Sequence, residues 1–178
     1  GEETILYRVN VGGEALAAVD DGPDWEESSK DDISVYSVGE SIRGGDLALA
    51  IDLSNVDAGV APSEMFNSHY WDNRTTPEAM HWAFAVETGK EYRINLYFAE
   101  TQSKFNETKI REFDFTVDGV SVAEFQDVNP YLDGGGQTGG ASMRSAVVTA
   151  ADGLLDIVSA VDQQNPLLSG IEIIEIGD

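Results

Sequence analysis

The chain has 178 residues, 42% of them hydrophobic, with 33 acidic and 10 basic side chains and a formal net charge of −23. That apolar share excludes a disordered acidic tail, and no apolar run approaches the roughly 20 residues of a membrane-spanning helix. The negative charge disfavours nucleic acid and anionic membranes as partners, and the absence of cysteine excludes disulfide frameworks, thiolate metal sites and thiol nucleophiles.

The acids are spread along the whole chain, from Glu2 through Asp31, Asp46, Glu87, Glu112 and Asp133 to Glu175, and the only lysines are Lys30, Lys90, Lys104 and Lys109. Such a surface repels itself in dilute buffer and is screened in brine, so a salt-adapted protein is expected. No basic-then-apolar leader opens the chain, and Gly1 reads as a cut within a larger exported, multidomain protein. Two Asn-x-Thr sequons, at Asn73 and Asn106, suit an extracellular or cell-surface location.

Period-two alternation dominates. In chain order, Ile5–Val11 alternates with one face apolar, and a long connection follows over Glu14–Ser34. A strand is expected at Leu47–Leu53, then a second long connection over Asn55–Glu78, with room for a short helix near Pro77–Met80. Met80–Val86, Tyr92–Phe98 and Phe113–Val117 alternate cleanly. Asp118-Gly119 joins the last of these to Val120–Phe125 as a tight hairpin, and Thr88-Gly89-Lys90 and Asp152-Gly153 carry similar turn signals. A third connection, Asp127–Ser142, holds the glycine-rich stretch Gly134–Gly140, which lacks the Lys-Ser/Thr of a phosphate cradle. Strands at Ser145–Ala150, Leu155–Val161 and Gly170–Ile176 close the chain. About nine short strands with such turns predict one all-β domain over 1–178, an antiparallel sandwich with long loops that carry its function.

Four segments, in order, resemble the malectin family of carbohydrate-binding domains. They are Val9-Asn10-Val11-Gly12-Gly13, then Ile94-Asn95-Leu96-Tyr97-Phe98-Ala99-Glu100, then Phe113-Asp114-Phe115-Thr116-Val117-Asp118-Gly119, and a closing set. The closing set is Asp152-Gly153-Leu154-Leu155-Asp156-Ile157 with Asn165-Pro166 and Ser169-Gly170-Ile171-Glu172-Ile173. The resemblance implies a jelly-roll-like sandwich, non-catalytic, whose loops at one end bind carbohydrate. It places the family's sugar-contacting tyrosine on Trp71, with Tyr70 in place of an arginine. The family's Tyr-Phe pair is replaced by Thr101-Gln102-Ser103, with Phe105 the nearest aromatic, and its carboxylate before Asn-Pro falls on Gln164. An earlier tyrosine aligns loosely near Tyr36.

A pyranose needs a flat ring against its C–H face and amides or carboxylates at its hydroxyls. Trp71 is therefore the expected stacking wall, with Tyr70, Trp25, Tyr36 or Phe105 beside it and Gln163, Gln164 and Asn165 as hydrogen-bonding groups. The expected ligand is a neutral oligosaccharide or polysaccharide. The competing expectation is a structural or adhesive cell-surface domain contacting other proteins, in which these aromatics pin loops to the sandwich. A glycoside hydrolase is the third reading, and it requires two carboxylates flanking the bond. No cofactor is expected. Asp20-Asp21 with Asp24, or Asp31-Asp32, offers oxygens for a structural calcium ion, though no Asp-x-Asp-x-Asp-Gly loop is present. His69 and His81 lack metal-ligand spacing, Trp82 belongs to a strand face, and Glu100 reads as an acid that orders a loop.

Overall fold

The alternating segments pair into sheets as their periodicity requires. The structure is a computed structural model and describes residues 1–45, 48–75 and 78–177. Its strands are β1 (Glu3–Val11), β2 (Glu26–Ser28), β3 (Ile42–Gly45), β4 (Asp52–Asn55), β5 (Ser68–Trp71), β6 (His81–Ala85) and β7 (Glu91–Ala99). They continue as β8 (Glu112–Val117), β9 (Val120–Ser121), β10 (Gly140–Thr149), β11 (Leu154–Gln163), β12 (Leu167–Leu168) and β13 (Gly170–Ile176). A short helix α1 (Pro130–Asp133) and 3-10 turns at Ser63–Asn67 and Ala123–Phe125 complete the elements.

A six-stranded sheet of order β2-β1-β13-β7-β10-β4 faces a four-stranded sheet of order β6-β11-β8-β9. Between them lie Val9, Val11, Ile94, Leu96, Phe98, Ile171 and Ile173 from the first and Trp82, Phe84, Phe113, Phe115, Leu155 and Ile157 from the second. A small third sheet, β12-β5-β3, sits at the rim. The Asp118-Gly119 turn is the expected hairpin, with both residues at positive φ and Val117 opposite Val120. The turns at Thr88-Gly89-Lys90 and Asp152-Gly153 instead carry the chain from one sheet to the other, β6 to β7 and β10 to β11. Pairing is antiparallel except at the edges of the large sheet, where β2 and β4 run parallel to β1 and β10. These two strands are three and four residues long, short enough to blunt an exposed edge.

The long connections are not plain loops. The first contributes β2 and the second β5, both too short for alternation to reveal. The expected strand at Leu47–Leu53 begins outside the described residues and appears only as β4; the expected helix near Pro77–Met80 likewise begins outside them. Val120–Phe125 ends as a 3-10 turn after two strand residues. In the third connection Asn129 caps α1 by accepting from the Leu132 N–H at 3.1 Å, and Pro130 occupies the first turn.

The large sheet is covered on both faces. Its outer face carries a second core of Trp25, Met65, Phe66, Tyr97, Ala99 and Ala141, so the first and second connections are packed down on it. The reason is visible in β1, where the residues alternating with the apolar ones are Arg8 and Asn10, 1% and 3% exposed. Arg8 donates to Glu172 at 2.7 Å and bidentately to Asp20 at 2.8 and 2.7 Å, while Asn95 donates to the other Glu172 oxygen at 2.8 Å. A buried arginine survives only when its donors are matched in this way.

Candidate functional site

The small rim sheet is built around glycines. Gly12, at φ +87°, ends β1 so close to β5 that a Cβ would lie 2.5 Å from the His69 carbonyl oxygen. Gly44 in β3 lies against the His69 ring, where a Cβ would be 2.6 Å from Nε2. These contacts explain why the opening motif ends in Gly-Gly and why β3 holds a second glycine pair. They draw β3 and β5 over the end of β1, and Arg43 donates to the Gly12 carbonyl at 2.6 Å.

Two adjoining clefts open there. One, of about 430 Å³, is lined by Ile33, Ile42 and Tyr70 with Lys30, Arg43, Glu40 and Asn73 among its polar groups. The other, of about 420 Å³, is lined by Asn10, Glu14, Glu27, Asp31, Glu64 and Asn67 and shares Lys30 and Arg43 with the first. The floor is rigid. Tyr70 stacks on Trp82 with ring centroids 5.8 Å apart, and its hydroxyl lies 2.9 Å from Ser28 Oγ. His69, buried beside it, has its pKa pushed down to about 4, chiefly by burial and further by Arg111 and Arg43. It is neutral at pH 7.

Next to the clefts, the loop after β7 is tied down by Glu100 and Arg111. Glu100, fully buried, accepts from Arg111 Nε at 2.7 Å and from the Gln102 N–H at 3.3 Å. Burial pushes its carboxyl up, against the pull of Arg111. Glu100 is thus the loop-ordering acid expected. The Arg111 guanidinium sits 4.1 Å from the Phe105 ring and donates to the Asn165 carbonyl. Lys104 and Lys109 approach the same ring at 5.1 and 5.3 Å.

The expected site residues separate into groups. Trp71, half-buried, packs on the main core and pairs with Leu167 and Ile42. Gln164 and Asn165 lie nearby and hold Arg74, which donates from Nη1 to Gln164 Oε1 at 2.9 Å and from its N–H to Asn165 Oδ1 at 3.3 Å. Gln163 is exposed at the end of β11. Tyr70 floors the larger cleft but is only 3% exposed. Phe105 is 6% exposed beneath its cations. One residue corrects the sequence reading. Trp25 is 0% exposed, edge-on to Tyr97 and under Arg8, so its ring serves the second core. Tyr36 packs between Tyr7 and Phe84, at 5.1 and 4.9 Å, against the smaller sheet. Acids on both sides of Trp25 do not strand when it is buried, because Asp24 and Glu26 both stay exposed, and Asp24 also accepts from the Ala18 N–H.

Asp20, one of the oxygens considered for calcium, is committed to Arg8. A different trio, Glu112, Asp127 and Asp162, brings carboxylate oxygens within 4.8 Å of one another and could hold a cation. Its mutual repulsion adds to burial in raising the Glu112 pKa. The residues missed by sequence reasoning are Lys30, Ile33, Ile42, Arg43 and Arg74. Apart from Arg74, inside the Asn73 sequon, none sits in a motif, although the scarcity of cations was a signal for Lys30, Arg43 and Arg74.

Residues 5–175 match the family model for the malectin domain. A probable receptor-like protein kinase of Arabidopsis thaliana, At5g38990, is 29% identical over 118 residues, which is 62% of this chain and 13% of that protein. Among solved structures, the plant receptor-like kinase FER superposes with a TM-score of 0.81 at 19% identity, over 98% of this chain and 50% of that one. The extracellular domain of ANXUR1 from Arabidopsis thaliana gives 0.82 at 15%, over 99% and 49%. FER in complex with the plant peptide RALF23 and LLG2 gives 0.80 at 20%, over 97% and 49%. This chain spans about half the length of those structures and a small part of the kinase. The match along almost its entire length shows that the chain belongs to the malectin domain family.

Proposed function

We propose that this chain is a non-catalytic recognition domain of an extracellular protein and that it binds a peptide or protein segment in its rim clefts. The observation that carries this reading is the state of the aromatic rings. A sugar needs an open ring face, yet Trp25, Tyr70 and Phe105 are 0%, 3% and 6% exposed. The larger cleft offers instead an apolar strip of Ile33 and Ile42 bordered by Lys30, Arg43 and Asn73, the mix of apolar centre and polar edge found at protein interfaces. The fold is shared with FER, which has been solved in a complex with the plant peptide RALF23 and LLG2.

The test is selection of a random peptide library on the immobilised domain, beside an oligosaccharide panel. Peptides retained by wild type and lost with Ile42→Asp are the expected result. Binding of saccharides alone would overturn the reading. A second reading, a neutral-glycan module, draws support from Trp71, which is half-buried rather than closed off and has the Gln164 and Asn165 amides nearby. It predicts saccharide binding in molar salt that Trp71→Ala removes. Salt adaptation is part of the proposal: with 33 acids, the fold is expected to hold best where carboxylate repulsion is screened.

A further inference from the structure

Most cations of this chain are matched to carboxylates. Arg8 pairs with Asp20 and Glu172, Lys30 with Asp31, Lys90 with Glu87 and Glu175, Arg93 with Glu3, Arg111 with Glu100 and Arg144 with Asp133. Among the described residues, no carboxylate lies within ion-pair distance of Lys104, Lys109 or Arg74. In a chain with a net charge of −23, three cations without a carboxylate partner would be expected to scatter, but they adjoin. Lys104 and Lys109 flank the Phe105 ring. Arg111 covers that ring and reaches the Asn165 carbonyl; the Asn165 side chain accepts from the backbone N–H of Arg74, whose guanidinium donates to the neighbouring Gln164. The field of this region extends to the clefts, since buried His69 is held neutral in part by both Arg111 and Arg43.

We propose that this cationic end of the sandwich, formed by Arg74, Lys104 and Lys109 around Arg111, receives an acidic segment of a protein partner. The inference rests on the peptide-binding reading above and adds the chemistry of the peptide. A saccharide fits the patch poorly. Its one aromatic ring is 6% exposed and lies under cations, so there is nothing for a sugar face to stack on. A flexible chain of carboxylates needs only the exposed ammonium and guanidinium groups. The surrounding acids set the conditions. At low ionic strength the whole molecule repels an anion, whereas a Debye length of about 8 Å at 0.15 M leaves mainly the contacting charges in play.

The test is fluorescence anisotropy with a labelled deca-glutamate peptide, at pH 7 and about 0.15 M salt. Wild type should show saturable one-to-one binding, weakened about tenfold in Lys104→Gln/Lys109→Gln, the size expected for two contacting ion pairs. Lys90→Gln, at the opposite end of β7, should leave it unchanged. Absence of saturable binding, or equal weakening by Lys90→Gln, overturns the proposal. So does lysine-dependent binding of polygalacturonate without binding of the peptide. Library peptides that need Ile42 but show no enrichment in Asp or Glu would sink the charge assignment alone. A library that yields no peptides sinks the peptide reading with it.

Discussion

Two connections of this molecule are fastened by the same device and end with opposite electrostatics. In the first, Arg8 lies over Trp25 at 4.9 Å and bonds to buried Glu172. In the loop after β7, Arg111 lies over Phe105 at 4.1 Å and bonds to buried Glu100. Each is a buried arginine–glutamate pair capped by a ring, which fixes a long connection to a sheet without a hydrophobic strand. The difference is in what surrounds the pair. Asp20 supplies Arg8 with a second carboxylate, and that site is saturated and closed. Around Arg111 the exposed charges that touch the ring are Lys104 and Lys109, of the same sign, while Glu107 between them is engaged by Tyr131 and Glu112 belongs to its own carboxylate cluster. The same clamp thus serves as scaffold in one place and as a platform for unspent positive charge in the other.

The comparison breaks most visibly if the arginines are removed. Arg8→Met should cost about 3–5 kcal/mol in urea unfolding, because Glu172 is left buried without its partner. Arg111→Met should cost a similar amount at pH 7 but recover as the pH falls. Glu100 already has a carboxyl pushed up by burial. An acid with a raised folded pKa gives stability that is complete below its unfolded pKa and lost as pH rises through the folded one. Without Arg111 that window moves further up, so acidification neutralises the stranded group. If Arg111→Met keeps the pH profile of wild type, Glu100 is not the group that Arg111 holds in its charged form.

A next-smaller effect comes from His69. Its pKa is 6.5 in the unfolded reference and about 4 here, so the folded state binds fewer protons. Stability is then complete above pH 6.5 and lost as pH falls toward 4, by about 3 kcal/mol for a shift of this size. The groups pressing on the ring electrostatically are Arg111 and Arg43. The difference between wild type and His69→Gln, followed by urea unfolding at pH 7 and pH 4.5, isolates this contribution. A difference that does not change with pH would show that the folded state does not hold the imidazole neutral.

How far the sequence revealed this contrast depends on the length of each element. Strands β1, β7, β8, β10, β11 and β13 were legible because six to ten residues of alternation faced one core. β2, β5 and β12 have two to four residues and are recruited by tertiary contacts, so period-two reasoning had nothing to count. The face assignment of Trp25 failed for a specific reason. Charged neighbours argued for exposure, but a large sheet with polar residues at Arg8, Asn95 and Glu172 needs a cover on its outer face, and only pairing across 164 residues reveals that. The cleft around Lys30, Ile33, Ile42 and Arg43 depends on glycine contacts at Gly12 and Gly44 and carries no motif. Trp71 pairs with Leu167, two residues beyond Asn165, a register that no alternation in the sequence announces.

Salt gives a milder probe. Raising sodium chloride from 0.05 to 1 M should add on the order of 1 kcal/mol, about 2–4 °C in Tm for a domain of this size. Part of that gain should be localised at Glu112, which Asp127 and Asp162 repel. Glu112→Gln should raise Tm in dilute buffer and lose that advantage in 1 M salt. An unchanged Tm for wild type across this range would remove salt adaptation.

The smallest effect sharpens the comparison most. Lys104→Gln/Lys109→Gln should leave unfolding free energy within about 0.5 kcal/mol of wild type, as surface charges without partners contribute little. Asp20→Asn in the other clamp should cost more, about 1–3 kcal/mol, because Arg8 loses a bidentate carboxylate in a buried setting. If the lysine pair proved as costly as Asp20, its cations would be structural, with the ring beneath them as their partner. If the pair is silent in folding, Lys104 and Lys109 stabilise nothing within the chain. Two lysines out of four, flanking one ring in a molecule otherwise covered with acids, then stay available for the acidic partner proposed above, which the peptide titration decides.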